Sequence, residues 1–244
     1  MEVSMKTFLL ILILIILLSK IILGNEDLSL VVKYAPIIRF DEKEPFLPVR
    51  IGYTIFRNSG RSLSFPRDIK LSKNEIAIEY AIYWDFDIQH LYELEHVWVY
   101  IKDNKITKVE ASWHGDYNEM KGVEIRDNHP ILYSQPGKHA FAPSPSWFNS
   151  FFFKYIRYIA PCKDNAGSGG ILIKDMFQGL INKTPEDDKL VENYLKKFSF
   201  TPTFNFSKEF FANEELYIPW EKLFKEIPER VNYWIKKIRE EVKR

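Results

Sequence analysis

The sequence predicts a mainly β protein, an antiparallel β-sandwich with peripheral helices in its C-terminal part, and three observations carry that reading. From residue 34 to about 141 the chain is a succession of short runs rich in β-branched and aromatic residues, broken by Asp, Asn, Gly and Pro. Two of those runs are separated by Asp103-Asn104, the form of a tight hairpin turn. Helical signals come later, at residues 184–195 and 219–244.

The first segment is set apart from the fold. After Lys6, residues 8–18 are unbrokenly apolar, Ser19-Lys20 interrupts them, and Gly24 closes the stretch. A positive flank, a short apolar core and a terminal small residue describe a secretory signal peptide at 1–24. A retained N-terminal membrane anchor is the alternative, because residues 8–23 fall a little short of the ~20 that a spanning helix needs. Both readings make the body secreted or extracytoplasmic, with membrane contact through this segment if it stays uncleaved. Residues 25–244 then suit a single β-sandwich domain, with its core at about 34–143 and a helical elaboration at about 144–244.

Within the body, residues 75–84 and 93–101 read as successive strands, residues 102–105 as a turn and 106–114 as the returning strand. A two-residue turn pairs Lys102 with Lys105, and unbroken register then sets Glu95 opposite Ser112 and Glu93 opposite His114. Because strand side chains alternate, Glu93, Glu95, Ser112 and His114 share one face. Leu94, His96, Trp98, Val109, Ala111 and Trp113 take the other, core-facing one. Residues 147–159 are aromatic on nearly every side and read as a buried or capping segment, with an interfacial membrane contact the lesser reading. Ala166-Gly-Ser-Gly-Gly170 reads as a flexible loop and lacks the Lys-Ser/Thr of a phosphate-cradling motif. Residues 184–195 form a helix with acids early and lysines at its end. Residues 219–244 read as two helices broken at Pro228, with Val231, Trp234, Ile235 and Ile238 as a docking stripe.

Composition narrows the function classes. Thirty-four basic residues against 33 acidic ones leave no electrostatic case for nucleic acid. The aromatic share of 16% fits a thick core, and secondarily a carbohydrate- or lipid-facing surface. Cys162 is alone, so no intrachain disulfide forms, and it reads as a small buried residue. There is no Gly-x-Ser-x-Gly elbow and no His-Glu-x-x-His.

Chemistry concentrates between residues 85 and 139, where all five histidines lie: His90, His96, His114, His129 and His139. The hairpin gathers Glu93, Glu95 and His114 at the end where the chain enters from Asp87 and His90. Adjacent carboxylates repel unless a cation or shared proton intervenes. Oxygen-rich ligation with an imidazole favours Mg, Ca or Mn over structural zinc. Among the others, His96 reads as a hydrogen-bonded core histidine, His129 fixes the start of a strand, and His139 orients a carboxylate.

The stretch Gln89-His-Leu-Tyr-Glu-Leu-Glu-His-Val-Trp-Val99 resembles the Gly-His-Arg-His-Asp-Trp-Glu heptapeptide, with its following strand, of the necrosis- and ethylene-inducing peptide-like proteins. Glu95-His96, Ser112-Trp-His-Gly115, His129-Pro-Ile-Leu-Tyr133 and Gly137-Lys-His-Ala140, with the Tyr34-Ala-Pro36 opening, also resemble the related vacuolar protein sorting sixty-two type domain. The resemblance covers residues 34 to 143. It implies a β-sandwich with a divalent-cation site at one end, the ligands falling on Asp87, His90, Glu93 and Glu95, with Asp85 as the alternative to Asp87 and His114 lining the cavity. Gln89, Tyr92, Glu93 and Leu94 depart from the heptapeptide's Gly, second His, Asp and Trp. The function these readings point to is an exported protein whose divalent-cation site binds a cell-envelope lipid head group or glycan. The alternative is a metal-dependent hydrolase of phosphoesters or glycans, with Glu93 or His114 as general base toward a metal-bound water.

Overall fold

The computed structural model describes residues 26–149 and 153–242, with Leu9 the single described residue before them; the rest of the leader expected at 1–24 lies outside the described residues. A helix over 26–33 (α1) precedes eleven strands: β1 (Ile37–Phe40), β2 (Arg50–Phe56), β3 (Gly60–Arg61), β4 (Asp68–Ile69), β5 (Glu75–Phe86), β6 (His90–Lys102), β7 (Lys105–Trp113), β8 (Asp116–Glu119), β9 (Ile125–Arg126), β10 (His129–Ser134) and β11 (Phe141–Ala142). The C-terminal part adds α2 (Ala160–Lys163), β12 (Gly170–Ile171), α3 (Pro185–Lys196), β13 (Lys208–Phe210), β14 (Tyr217–Pro219) and α4 (Trp220–Val242).

Two sheets stack. The larger runs β14-β2-β5-β6-β7-β8 with β12 beside the start of β6, and the smaller runs β11-β10-β1-β13 with β9 on β10. Most pairs are antiparallel, as expected, but β1 with β10, β12 with β6 and β14 with β2 are parallel, so both sheets are mixed. Two of these three parallel pairs arise because the C-terminal part returns to the large sheet as β12 and β14 instead of standing apart as helices.

Burial explains the near-continuous apolar run of β5. Its Ile78, Tyr80, Ile82 and Trp84 face inward with Val97, Val99 and Ile101 of β6, and meet Ile38, Phe40, Leu132 and Phe141 on the small-sheet side. Its outer face is covered too: Ala81 and Tyr83, with Leu94 of β6, lie beneath Trp220, Leu223, Ile227, Val231 and Ile235 of α4 and Val191 and Leu195 of α3. Farther along, Trp98 and Tyr100 pack with Phe56 and Ile69. A strand buried on both faces loses the alternation that would identify its core side. The expected core face therefore divides, with Val109 and Ala111 inside the sandwich and Leu94 and Trp98 on its outer side.

The predicted turn is present, since Lys102 pairs with Lys105 across Asp103 and Asn104, both in the left-handed region. Beyond it the register shifts between Tyr100 and Ile101: Ile101 pairs with Ile106 but Tyr100 with Lys108, leaving Thr107 as the extra residue of a β-bulge. Val97 consequently faces Ala111. The unbroken register expected from the sequence is one residue out, which removes the predicted pairing of Glu95 with Ser112 and of Glu93 with His114.

The helices correct two further expectations. α3 begins as predicted, with Thr184 accepting from the Asp187 backbone and Asp187 returning the bond in a capping box. α4 is one helix through Pro228, not two. Leu223, Ile227, Val231, Ile235 and Ile238 stay in phase across the proline and are all buried. Their combined burial exceeds the ~3 kcal/mol an interior proline costs. Two bidentate ion pairs pin the helix, Arg230 on Asp85 at 2.9 and 2.7 Å and Arg239 on Asp187 at 2.5 and 2.6 Å. Asp85 is thereby engaged with α4. Residues 166–170, expected to be a flexible loop, are packed instead: the Gly169 N–H donates to the Gln89 carbonyl at 2.9 Å, and β12 extends the sheet. Among the described residues no helix is long and apolar enough to cross a membrane.

α4 sits directly on β2, where a Cβ at Gly52 would lie 2.7 Å from Leu223 and 3.2 Å from Trp220. Leu223 is wholly buried at that contact. Leu223→Ala will lower the unfolding free energy by about 2–5 kcal/mol in urea titrations of the full chain, because the rigid sheet cannot close the cavity; a loss below about 1 kcal/mol would show that α4 is not packed as described.

Candidate cation site

The site begins where β5 ends. The turn from Asp87 to His90 is closed by the Asp87 N–H donating to the His90 carbonyl at 3.0 Å. Asp87 Oδ1 accepts the Gln89 and His90 backbone N–H groups, each at 2.6 Å. One carboxylate oxygen is thus tied to the backbone, and Oδ2 is left to face the site.

His90 is oriented in the same way. Its Nδ1 lies 2.8 Å from the Tyr92 carbonyl, which can only accept, so Nδ1 carries the proton and Nε2 presents a lone pair. Glu93 repeats the pattern, with Oε1 accepting the Leu94 N–H at 2.8 Å and Oε2 lying 3.6 Å from His90 Nε2. Asp87 Oδ2 lies 3.2 Å from the same nitrogen. Ligand atoms of all three residues lie within 4.8 Å of one another.

That convergence needs a backbone irregularity. Residues three apart on a straight strand point to opposite faces, so His90 and Glu93 should not meet. Tyr92, between them, has a φ of 56°, and this left-handed residue reverses the alternation. Such a conformation is costly for a tyrosine and persists only where its surroundings enforce it. Tyr92 is wholly buried against Phe177 and Tyr83, and its hydroxyl accepts the Lys174 N–H at 3.4 Å.

Two lysines complete the cluster. The Lys138 ammonium hydrogen-bonds Asp87 Oδ2 and lies 3.2 Å from His90 Nε2. Lys174 Nζ lies 4.0 Å from Glu93 Oε1. Burial alone would raise the Asp87 carboxyl, but the positive charge of the His90 ring whenever it is protonated, together with the Lys138 ammonium, outweighs burial and holds Asp87 below its ordinary range. Burial would likewise lower Lys138, but Asp87 and Glu93 outweigh that and keep it above an ordinary lysine.

Glu95 stands beside this group. The Ser112 hydroxyl donates to its carboxylate, so the two residues touch despite the shifted register. Burial first, and the neighbouring Glu93 second, push the Glu95 carboxyl up to about 8. His114 does not lie opposite Glu93. It occupies, with Gly115, the two-residue turn between β7 and β8, both with positive φ, and its Nε2 lies 2.7 Å from Gln135 Oε1. With Trp113, Arg157 and Tyr158 it lines a cavity of about 370 Å³.

The remaining histidines have structural partners. His96 is buried with Nε2 3.0 Å from the Ser64 hydroxyl, and burial holds its imidazole well below its ordinary value, so it is the core histidine expected. His129 opens β10 with Nδ1 2.8 Å from the Ala35 carbonyl. His139 does meet a carboxylate, but that of Glu44, at 3.3 Å, while its ring stacks on Trp84 at 4.5 Å. Cys162 is buried with its thiol on the Pro136 carbonyl, and burial pushes that thiol up. Within residues 147–159, Phe148 and Tyr158 are buried as expected of a capping segment, while Trp147, Phe153, Tyr155 and Ile156 are exposed.

Lys138, Lys174 and the Tyr92 kink are the functional features that sequence reasoning passes over. Lys138 lies within Gly137-Lys-His-Ala140, where attention goes to the histidine. Its loop is identifiable from Gly137, whose φ is +67° and whose added Cβ would fall 2.7 Å from Ile88 and 2.8 Å from Cys162.

The donor set fits a hard divalent ion: two carboxylate oxygens and one imidazole lone pair, each residue held through its second atom. Fold and site together define a mainly β sandwich with an acidic and imidazole cluster at one end that could hold a metal ion. No protein-family model and no curated protein matches the chain. Among solved structures it is similar to a triple mutant of NLPPya, at 17% identity and a TM-score of 0.34 over 48% of this chain and 66% of that one. It is also similar to Necrosis and Ethylene inducing Protein 2 from the causal agent of cocoa's Witches Broom disease, at 20% identity and a TM-score of 0.32 over 45% of this chain and 65% of that one. A third similar structure is NLPPya in complex with mannosamine, at 15% identity and a TM-score of 0.34 over 47% of this chain and 64% of that one. The chain thus spans just under two thirds of the length of each of these three.

The protonation of Glu95 sets a pH dependence in the metal-free protein. Folded, Glu95 keeps its proton up to about 8; unfolded, it releases it near the ordinary 4.5. The stability it contributes is fully present below the lower value and is lost as pH rises toward the higher one. Wild type in EDTA will therefore lose more stability than Glu95→Gln between about pH 5 and pH 8.5, by urea denaturation. Parallel profiles would place the Glu95 carboxyl in an ordinary environment.

Proposed function

We propose that this chain is an exported β-sandwich binding module that takes a divalent cation at Asp87, His90 and Glu93, with Glu95 as the fourth ligand. Through that ion it binds the polar head of a cell-envelope lipid or a glycan. The observation that carries the reading is the split engagement of three residues: each has one polar atom fixed by the backbone and the other turned to a common centre. A merely solvated acidic strand end has no need of such orientation.

Hard oxygen donors with one imidazole suit Mg, Mn or Ca, all of which keep further positions for outside oxygens. Sugar hydroxyls and phosphate oxygens are the groups that fill them. The neighbouring cavity agrees with such a ligand, since the Trp113 ring, the exposed Arg157 and His114 offer a stacking face and hydrogen-bond donors. Gln135 joins the two features: its amide reaches both His114 and the Arg157 carbonyl, and it opens the loop that carries Lys138. Export rests on residues 1–24 of the sequence, where a basic flank precedes the apolar run.

Calorimetric titration of the full chain with Mn²⁺ will show one site per chain, and an Asp87→Asn, Glu93→Gln double variant will lose it. Binding to head-group vesicles or a glycan panel will then require that ion and disappear with EDTA. Equal Mn²⁺ binding by the double variant would sink the site, and ligand binding indifferent to EDTA would sink the role given to the ion.

A further inference from the structure

We infer that Lys138 is a tethered competitor for the cation position, so that a divalent ion and the Lys138 ammonium exclude one another. The inference rests on the cation-site reading above and adds to it the residue that sets how tightly the ion is held.

The geometry is direct. The Lys138 ammonium bonds Asp87 Oδ2 and lies 3.2 Å from His90 Nε2, the same two atoms that face the common centre. An ion bound to those atoms would sit at about 2.0–2.6 Å from each. Nothing leaves room for a positive ammonium in contact with both atoms at once, and the two cations repel. Charge balance points the same way: Asp87 and Glu93 already face Lys138 and Lys174.

The backbone beneath Lys138 is fixed, so exchange falls to its side chain. The Gln135 N–H donates to the Ala140 carbonyl at 2.7 Å, the Ile88 N–H to the Gly137 carbonyl at 2.8 Å, and the Gly137 N–H to Glu44 Oε2 at 2.7 Å. Gly137 has no space around it. The lysine stem, by contrast, is four carbons long, and its side chain retains 12% exposure. An expelled ammonium thus swings to the mouth of the site, where it stands ready for an anionic group arriving on the ion's ligand. Without an ion, the same ammonium keeps the carboxylates from repelling each other.

A site that its own lysine occupies binds an ion with an affinity reduced by the fraction of time it stands vacant. Lys138→Met and Lys138→Gln remove the charge while keeping a stem; Lys138→Arg retains a cation. Mn²⁺ titration by calorimetry, with melting curves in EDTA and in Mn²⁺, is the experiment. The neutral variants should bind Mn²⁺ about tenfold or more tightly than wild type. They should melt lower than wild type in EDTA and recover in Mn²⁺, whereas Lys138→Arg should show no gain in affinity. Equal or weaker Mn²⁺ binding by both neutral variants would overturn the inference and leave the site standing. Mn²⁺ binding by none of the four proteins would overturn the cation-site reading and this inference with it.

Discussion

The left-handed backbone of Tyr92 is the constraint on which the site depends. An ordinary β6 would turn His90 and Glu93 to opposite faces, one toward the helices and one into the sandwich. With Tyr92 reversed, both converge on Asp87, and the Tyr92 carbonyl itself is the group that fixes the His90 ring. The strain is held by burial of the tyrosine between Tyr83 and Phe177, and thus by the C-terminal part of the chain. The helical elaboration accordingly does more than cover the sheet: Phe177 and Lys174 belong to it and keep the kink in place.

A second constraint is electrostatic. Asp87, Glu93 and Glu95 lie nearly out of water, and isolated buried carboxylates are strongly unfavourable. The fold answers in two ways. A lysine ammonium helps keep Asp87 charged, while Glu95 takes a proton that burial and the neighbouring Glu93 favour, against the opposing pull of the Ser112 hydroxyl bond. The same carboxylates that a divalent ion would need are therefore kept compatible with its absence.

Legibility in the sequence followed physical locality. β5, β6 and the Asp103-Asn104 turn are readable because β-branched runs and a short turn act within a few residues. The start of α3 is readable for the same reason, through Thr184 and Asp187. The Thr107 bulge is not, since nothing about a single threonine distinguishes an extra residue from a paired one. The continuity of α4 through Pro228 depends on burial against a distant sheet, which a local breaker signal ignores. Asp87, His90 and Glu93 were legible as residue types in a short segment. Lys138 was not, because it reaches the cluster from a loop some fifty positions away, and the reversed Tyr92 is enforced by tertiary packing.

A cation held by Asp87, His90 and Glu93, as proposed, has an imidazole nitrogen as a direct ligand. Electron spin-echo spectroscopy of the full chain loaded with Mn²⁺ tests it, because a directly bound imidazole nitrogen modulates the echo. Modulation from a single ¹⁴N that vanishes in His90→Ala is the expected result. A spectrum showing Mn²⁺ surrounded only by water and carboxylate oxygens, unchanged by that substitution, would contradict it.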